Sequence, residues 1–89
     1  MNNQMIVKLE NCLDKLKKKA IKINQKGFIM NQFFMKQMMY KIQDDILNLR
    51  DKVEDIYLSL NLNQVYQVEI SENKIILFLD NDTEIEISQ

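Results

Sequence analysis

Eight apolar residues between Met35 and Leu60 recur with spacings that alternate between four and three, and this run constrains the fold more than any other feature. Such spacing places the side chains on one face of an α-helix and is typical of a coiled-coil seam. The run predicts a long helix over residues 31–60. Its members are Met35, Met39, Ile42, Ile46, Leu49, Val53, Ile56 and Leu60.

A shorter run of the same kind predicts a first helix over residues 5–24. Asn2 or Asn3 is suited to cap its start, and Gly27 is suited to the turn that follows its end. Two helices joined by a short loop are expected to fold back as an antiparallel hairpin. The apolar residues of this helix are Ile6, Leu9, Leu13, Leu16, Ala20 and Ile23.

The apolar period changes to two after residue 63. Apolar and polar residues alternate over 66–70 and 84–87, and the intervening segment 75–79 is entirely apolar. This pattern predicts a three-stranded antiparallel β-meander with its middle strand most deeply buried. The predicted fold class is therefore α+β, in a single domain of residues 1–89. The helical hairpin would occupy residues 1–60 and the meander residues 64–88.

The residue inventory argues against catalysis. The chain has no His, one Cys and one Gly, which excludes imidazole catalysis, Cys-rich zinc sites and Gly-rich phosphate-binding loops. We therefore predict no enzyme activity, no catalytic or metal-binding residues and no cofactor. The single Cys12 fits a reducing cytoplasm and is expected to be a half-buried apolar side chain. Since no apolar run approaches about 20 residues, we predict a cytoplasmic protein without membrane contact.

Lysines are concentrated in the first half of the chain. Residues 15–43 contain eight lysines and no acid, whereas residues 44–89 contain eleven acids and three cations, giving charges of +8 and 3 − 11 = −8. In a helical hairpin the basic segments would repel each other at the loop end, which predicts an anionic partner. Nucleic acid, an acidic patch of a larger protein and the acidic half of a second copy all fit. The predicted binding residues are Lys15, Lys19, Lys22, Lys26, Lys36 and Lys41.

The segment GFIMNQFFMKQMMY, residues 27–40, is unusually rich in aromatic residues and methionine. On the predicted second helix, Phe33, Tyr40 and Leu47 are spaced seven apart on the face opposite the seam, and Leu58 returns to that face. Either the strands cover this second face or a partner covers it. We predict a homodimer in which the long helices pair antiparallel through these four residues.

The leading functional hypothesis is a small non-catalytic protein that oligomerises and binds a larger protein. Abundant Lys, Asn and Ile are typical of an AT-rich genome, and short chains without catalytic residues are often phage or mobile-element inhibitors of host proteins, including anti-CRISPR proteins. Three alternatives stay open. The first is a nucleic-acid-binding regulator that uses the lysines of the first helix, and the second is a structural coiled-coil subunit. The third is a protein that holds a small anionic molecule in a dimer cleft near the lysines.

Overall fold

The computed structural model describes residues 2–89, which form one helix followed by eight strands. The helix α1 spans Asn3–Leu16. The strands are β1 Ile21–Lys26, β2 Asn31–Met35, β3 Met38–Gln43, β4 Ile46–Asp51, β5 Tyr57–Asn61, β6 Val65–Ser71, β7 Lys74–Leu79 and β8 Glu84–Ser88, with a 3-10 turn at Leu62–Gln64. All strand pairs are antiparallel.

Helix α1 begins at Asn3, two residues before the predicted start, and ends earlier than predicted. The Asn2 side chain accepts a hydrogen bond from the Met5 N–H at 2.9 Å, which satisfies one of the free donors of the first turn. The helix stops after Leu16, since Lys17 is extended and Lys18 has a positive φ of 65°. The alternation of Ile21 and Ile23 with polar residues then forms β1. The predicted extension of the helix to residue 24 is wrong for this reason.

The larger sheet has the strand order β2-β1-β8-β7-β6. Its last three strands form an antiparallel meander in which β7 lies between β6 and β8. The alternation that indicated strands near the C-terminus therefore corresponds to the observed strands. The first two strands add to the open side of β8, because β1 pairs with β8. The N-terminal half of the chain is thus joined to its C-terminus within one sheet.

The smaller sheet has the order β3-β4-β5. Leu47 and Leu49 point inward from β4, while Asn48 and Arg50 point outward. The buried face of α1 and the inner faces of both sheets contribute to one apolar core. Its fully buried members include Leu9, Leu13, Leu16, Ile23, Met35, Met38, Leu47, Leu49, Leu62, Ile75, Leu77 and Ile87.

The predicted helical hairpin is wrong, because residues 31–60 form four short strands and their connections instead of a long helix. The spacings of four and three sum to seven, an odd number, so residues seven apart lie on opposite faces of a continuous strand. The apolar run accordingly mixes environments: Leu49 and Leu60 are buried, whereas Met39 is half-buried on the outer face and Val53 is exposed in a loop. A coiled-coil seam, and with it a structural coiled-coil subunit, is therefore excluded.

Tight turns in this chain use Asp and Asn where Gly is more usual. Asp44 and Asp45, which connect β3 to β4, have φ of 54° and 62°. Asn73 and Asp82 also have positive φ, at 65° and 60°, between β6 and β7 and between β7 and β8. Asp and Asn tolerate this left-handed region better than other residues with a Cβ atom. A chain with one Gly and no Pro can therefore still form an all-antiparallel set of sheets.

Candidate protein-binding surface

The connection between β1 and β2 presents three large apolar side chains to solvent. Phe28, Ile29 and Met30 have relative exposures of 102%, 65% and 77%. A fully exposed phenylalanine is unusual, because the ring has a large apolar surface and burying it would stabilise the fold. We call Gly27–Met30 the apolar tip. It is the densest group of exposed large apolar residues in the part of the chain that the structure describes.

Gly27 sets the direction in which the apolar tip leaves the sheet. Its φ is +158°, and a Cβ atom at this position would lie 3.3 Å from the Asp82 carbonyl oxygen and 3.2 Å from Thr83 Oγ1. The start of the tip thus packs closely on the turn between β7 and β8. Gly27 does not end a helix, as the sequence suggested, but allows two turns of the larger sheet to touch.

Strand β2 continues from the apolar tip along the edge of the larger sheet. It pairs only with β1, so its other side is an open edge. Met35 is buried and Phe33 packs against the core, whereas Phe34 points to the opposite face and is 61% exposed. The strand sequence NQFFM has no charge and no Pro. Charged residues and Pro usually protect a sheet edge from pairing with another chain, so β2 lacks both of these protections.

The four residues predicted to form an oligomer interface do not lie on one exposed face. Leu47 is fully buried in β4, while Phe33, Tyr40 and Leu58 are half-buried and pack against the core. A spacing of seven residues does not place side chains on one face of a strand, so these four residues do not form a common surface. Antiparallel pairing of long helices is excluded as the mode of dimerisation.

Tyr40 instead connects β3 to α1. Its hydroxyl donates a hydrogen bond to Asp14 Oδ1 at 2.6 Å and lies 3.5 Å from the Glu10 carbonyl oxygen. Partial burial, followed by the hydrogen bond and the negative charge of Asp14, raises the pKa of Tyr40 to about 12. The ring therefore has a structural role inside the molecule.

The acidic half of the same chain neutralises part of the basic half. Lys26 Nζ lies 3.6 Å from Glu86 Oε2, because β1 pairs with β8. Lys36 Nζ lies 2.7 Å from Glu54 Oε1, and this contact raises the pKa of Lys36. Two of the six lysines expected to need an external anion thus have an internal one.

The other four predicted lysines are dispersed. Lys15 lines a cleft of about 680 Å³ between α1 and the turn joining β6 to β7. Lys19 follows α1, and its carbonyl accepts a hydrogen bond from the Met38 N–H at 3.1 Å. Lys22 lies opposite Phe34 on the outer face of the larger sheet, and Lys41 lies on the smaller sheet. The structure does not bring the six lysines into one site.

Cys12 forms part of the floor of the cleft beside Lys15. It is 6% exposed, more buried than the sequence suggested. Burial raises the pKa of the Cys12 thiol, although the nearby Lys15 opposes the shift. A buried thiol with a raised pKa is a poor nucleophile.

Asp51 joins the loops at one end of the smaller sheet. Its side chain is buried, and its carboxylate accepts backbone hydrogen bonds from Lys36 and Gln37 at 2.9 and 3.1 Å and from Val53 at 3.0 Å. Burial alone would raise the pKa of Asp51, but these backbone donors, with Glu54, lower the pKa below its usual value of 3.8. Asp51 is therefore a structural acid that fixes the connection between β2 and β3.

The outer face of the smaller sheet carries a cleft of about 340 Å³ that is lined by both apolar and cationic side chains. Arg50 lies directly between Met39 and Tyr57 on the neighbouring strands, and Lys41 lies opposite Asn48. Arg50 and Tyr57 are exposed, and neither Lys41 nor Arg50 forms an ion pair within residues 2–89. The cleft thus combines two cations with an accessible aromatic ring.

Helical periodicity in the sequence does not identify the residues of the candidate surface. The composition of segment 27–40 is unusual, but the helical periodicity gives no role to Phe28, Ile29 and Met30. A signal was present in Gly27, which directly precedes three apolar residues. That order is typical of a turn with an exposed tip as well as of a helix end.

Comparison with known proteins adds no relative: no family model, no curated protein and no solved structure matches the chain. Among residues 2–89 the single helix is too short and too polar to cross a membrane. In the same range, no group of three or more Cys, Asp or Glu side chains is arranged to hold a metal ion. The chain's own surface is therefore the guide to its function.

Proposed function

We propose that this chain is a non-catalytic protein-binding protein whose contact surface is the apolar tip. The observation that carries the proposal is the exposure of Phe28, Ile29 and Met30 on a turn that a well-packed sheet holds in place. Apolar and aromatic residues exposed together in this way are typical of binding sites, where a few such side chains supply most of the affinity. In the simplest mode of action, the chain inhibits a larger protein by occupying its surface.

The geometry of the tip favours insertion into a groove of the partner. Lys26 precedes the tip and is paired with Glu86, and residues 27–30 carry no charge. A charge-free apolar projection enters a concave apolar groove without the cost of removing water from an ion. We therefore expect the partner site to be apolar and concave, and binding to depend little on salt.

A photo-crosslinking amino acid placed at Phe28 tests this proposal in extracts of the native host. We expect a discrete heterologous adduct from position 28 that forms equally well at high salt. The matched control carries the same group at Tyr66, which is 64% exposed on β6, and should give no such adduct. The same adduct pattern from both positions would contradict a specific surface at the tip.

A second candidate function is binding of single-stranded nucleic acid, and the cleft on the smaller sheet is the observation that favours it. Bases stack on exposed aromatic rings such as Tyr57, and phosphates contact nearby cations such as Lys41 and Arg50. This site differs from the helix-1 lysines indicated by the sequence. It offers one aromatic ring and two cations, so we rank it below protein binding.

Fluorescence anisotropy with a labelled oligonucleotide at low salt tests the second candidate. If the cleft binds nucleic acid, the double change Lys41→Gln and Arg50→Gln should weaken binding by at least about tenfold, whereas Lys52→Gln should not. Absence of binding by the wild-type chain at low salt would remove this candidate and leave the apolar tip as the functional surface.

A further inference from the structure

The backbone along the open side of β2 has donors and acceptors that β1 does not use. In an antiparallel pair, alternate residues direct their N–H and C=O groups toward one neighbour or the other. The Gln32 N–H donates to Asn31 Oδ1 at 2.9 Å, and the Lys36 N–H donates to Asp51 Oδ2 at 2.9 Å. Since Gln32 and Lys36 thus point away from β1, Phe34 between them does so too.

Neither charge nor irregularity protects this edge. Strand β2 contains no charged residue and pairs with β1 in an unbroken register from residue 31 to residue 35. The opposite edge strand, β6, carries Glu69 and has a register irregularity between Val65 and Gln67. Charges and bulges of this kind discourage edge pairing. The two edges of the larger sheet therefore differ in how easily they accept another strand.

The edges of the smaller sheet are less suited to pairing with another strand. The start of β3 is already occupied, because Lys18 N–H donates to the Met38 carbonyl oxygen at 2.6 Å. Strand β5 is uncharged like β2, but its exposed side chains are Tyr57 and Ser59, which give less apolar contact than Phe34 and the adjoining apolar tip. Strand β2 is therefore the edge best suited to a partner strand.

We infer that β2 pairs antiparallel with β2 of a second copy, so that the two five-stranded sheets join into one sheet of ten strands. The outward groups of Gln32 and Phe34 define the register: Gln32 of each copy faces Phe34 of the other, and Phe33 faces Phe33. In this register both Gln32–Phe34 pairs exchange two main-chain hydrogen bonds once the exposed Asn31 side chain releases the Gln32 N–H. An uncharged strand is suited to pairing with the same strand of a second copy, because the two-fold axis then brings no like charges together.

This arrangement leaves the apolar tip free and is independent of the proposed function. The paired segment is residues 31–35, and the tip precedes it, so Met30 of one copy would lie beside Lys36 of the second copy. Each tip therefore projects beyond the paired segment at an opposite end of the joined sheet. The dimer would display two tips, which strengthens binding to a partner with two sites.

The solution mass and amide exchange of the purified chain test the inference together. We expect a mass of twice 10.7 kDa at high micromolar concentration, and at least about tenfold slower exchange of the Phe34 amide than in the dilute monomer. A monomer at high concentration would overturn the inference. So would a dimer that protects β5 or β6 and leaves β2 exposed, or a β2 edge protected only when a different protein is added.

Two surface variants separate this inference from the proposed function. Phe34→Lys should raise the dimer dissociation constant at least about tenfold by placing charges at the junction, whereas Tyr66→Lys on the other edge should not. Phe28→Ser should leave the dimer intact and should compete less well than the wild-type chain for the heterologous adduct that a crosslinker-bearing chain forms from position 28. Loss of the dimer in Phe28→Ser would show instead that the tip itself forms the contact between copies.

The register is tested by oxidising mixtures of single-cysteine variants, with the buried Cys12 left in place. Gln32→Cys mixed with Phe34→Cys should form a disulfide-linked dimer, because these positions face each other in the inferred pairing. Neither variant alone should do so. Efficient crosslinking of Gln32→Cys with itself would place the axis one residue away and overturn the register.

Discussion

The loops around Asp51 bury a charged side chain, whereas the apolar tip exposes apolar side chains to water. Asp51 is 3% exposed and satisfies the backbone donors of two neighbouring loops. The tip leaves three large apolar side chains in water, where they contribute nothing to the core. The hydrogen bonds of Asp51 stabilise the fold, whereas the exposed side chains of the tip do not. The difference separates the part of the molecule that maintains the fold from the part available to a partner.

The largest expected effect is at Asp51. Asp51→Asn should lower the melting temperature at neutral pH by about 5–10 °C, because an amide cannot accept all of the backbone hydrogen bonds that the carboxylate accepts. Asp55→Asn, a change at an exposed acid in the same loop, is the matched control and should have little effect. Equal melting temperatures for both variants would contradict the claim that the Asp51 carboxylate maintains the fold.

The pH dependence of stability follows from the direction of the Asp51 shift. Its folded-state pKa lies below the usual 3.8, so its contribution is complete above the unfolded-state pKa and is lost as the pH falls through the folded-state value. Wild-type stability should therefore decrease on acidification below about pH 4, and Asp51→Asn should reduce this dependence. A parallel pH profile for the variant would contradict this assignment.

A smaller effect is expected at Tyr40. Tyr40→Phe should lower the free energy of unfolding by about 0.5–1.5 kcal/mol through loss of the hydrogen bond to Asp14. Tyr57→Phe, which removes an exposed hydroxyl, is the control. Because the pKa of Tyr40 is raised from 10.0 to about 12, wild-type stability should also decrease as the pH rises through this interval. Denaturant titrations that show no difference between Tyr40→Phe and Tyr57→Phe would contradict the role of this contact.

The smallest effect on stability is expected at the tip. Phe28→Ala should change the free energy of unfolding by no more than about 0.5 kcal/mol, since the ring makes no core contact. Phe33→Ala, five residues away in the same hairpin, removes a ring that packs against the core and should destabilise the protein clearly. Similar losses at both positions would show that the tip belongs to the folded core.

The sequence indicated the start of α1 and the C-terminal strands because the local signals there agree with the fold. The Asn2 cap and the seam of Leu9 and Leu13 suit a short helix, and the alternation after residue 63 suits strands. The region 31–60 could not be predicted in the same way. Strands of five or six residues show too few alternations, and Asp44-Asp45 turns the chain without the Gly that usually marks a hairpin.

The candidate surface was only partly predictable. Segment 27–40 stood out by its composition, but helical periodicity assigned its apolar residues to faces that do not exist. The charge division was real, yet the distant pairing of β1 with β8 brings Lys26 to Glu86 within the same molecule. Such long-range pairing is not encoded in local sequence spacing. The sequence therefore identified the unusual segment without identifying which side chains are exposed.

Competition for the adduct formed from position 28 tests the central claim most directly. Unlabelled wild-type chain should suppress the adduct, and so should Tyr66→Ser, whereas the double variant Phe28→Ser and Met30→Ser should require at least about thirtyfold more protein. Circular dichroism should show that both variants remain folded. Equal competition by the two folded variants would contradict the claim that the apolar tip is the surface through which this protein binds its partner.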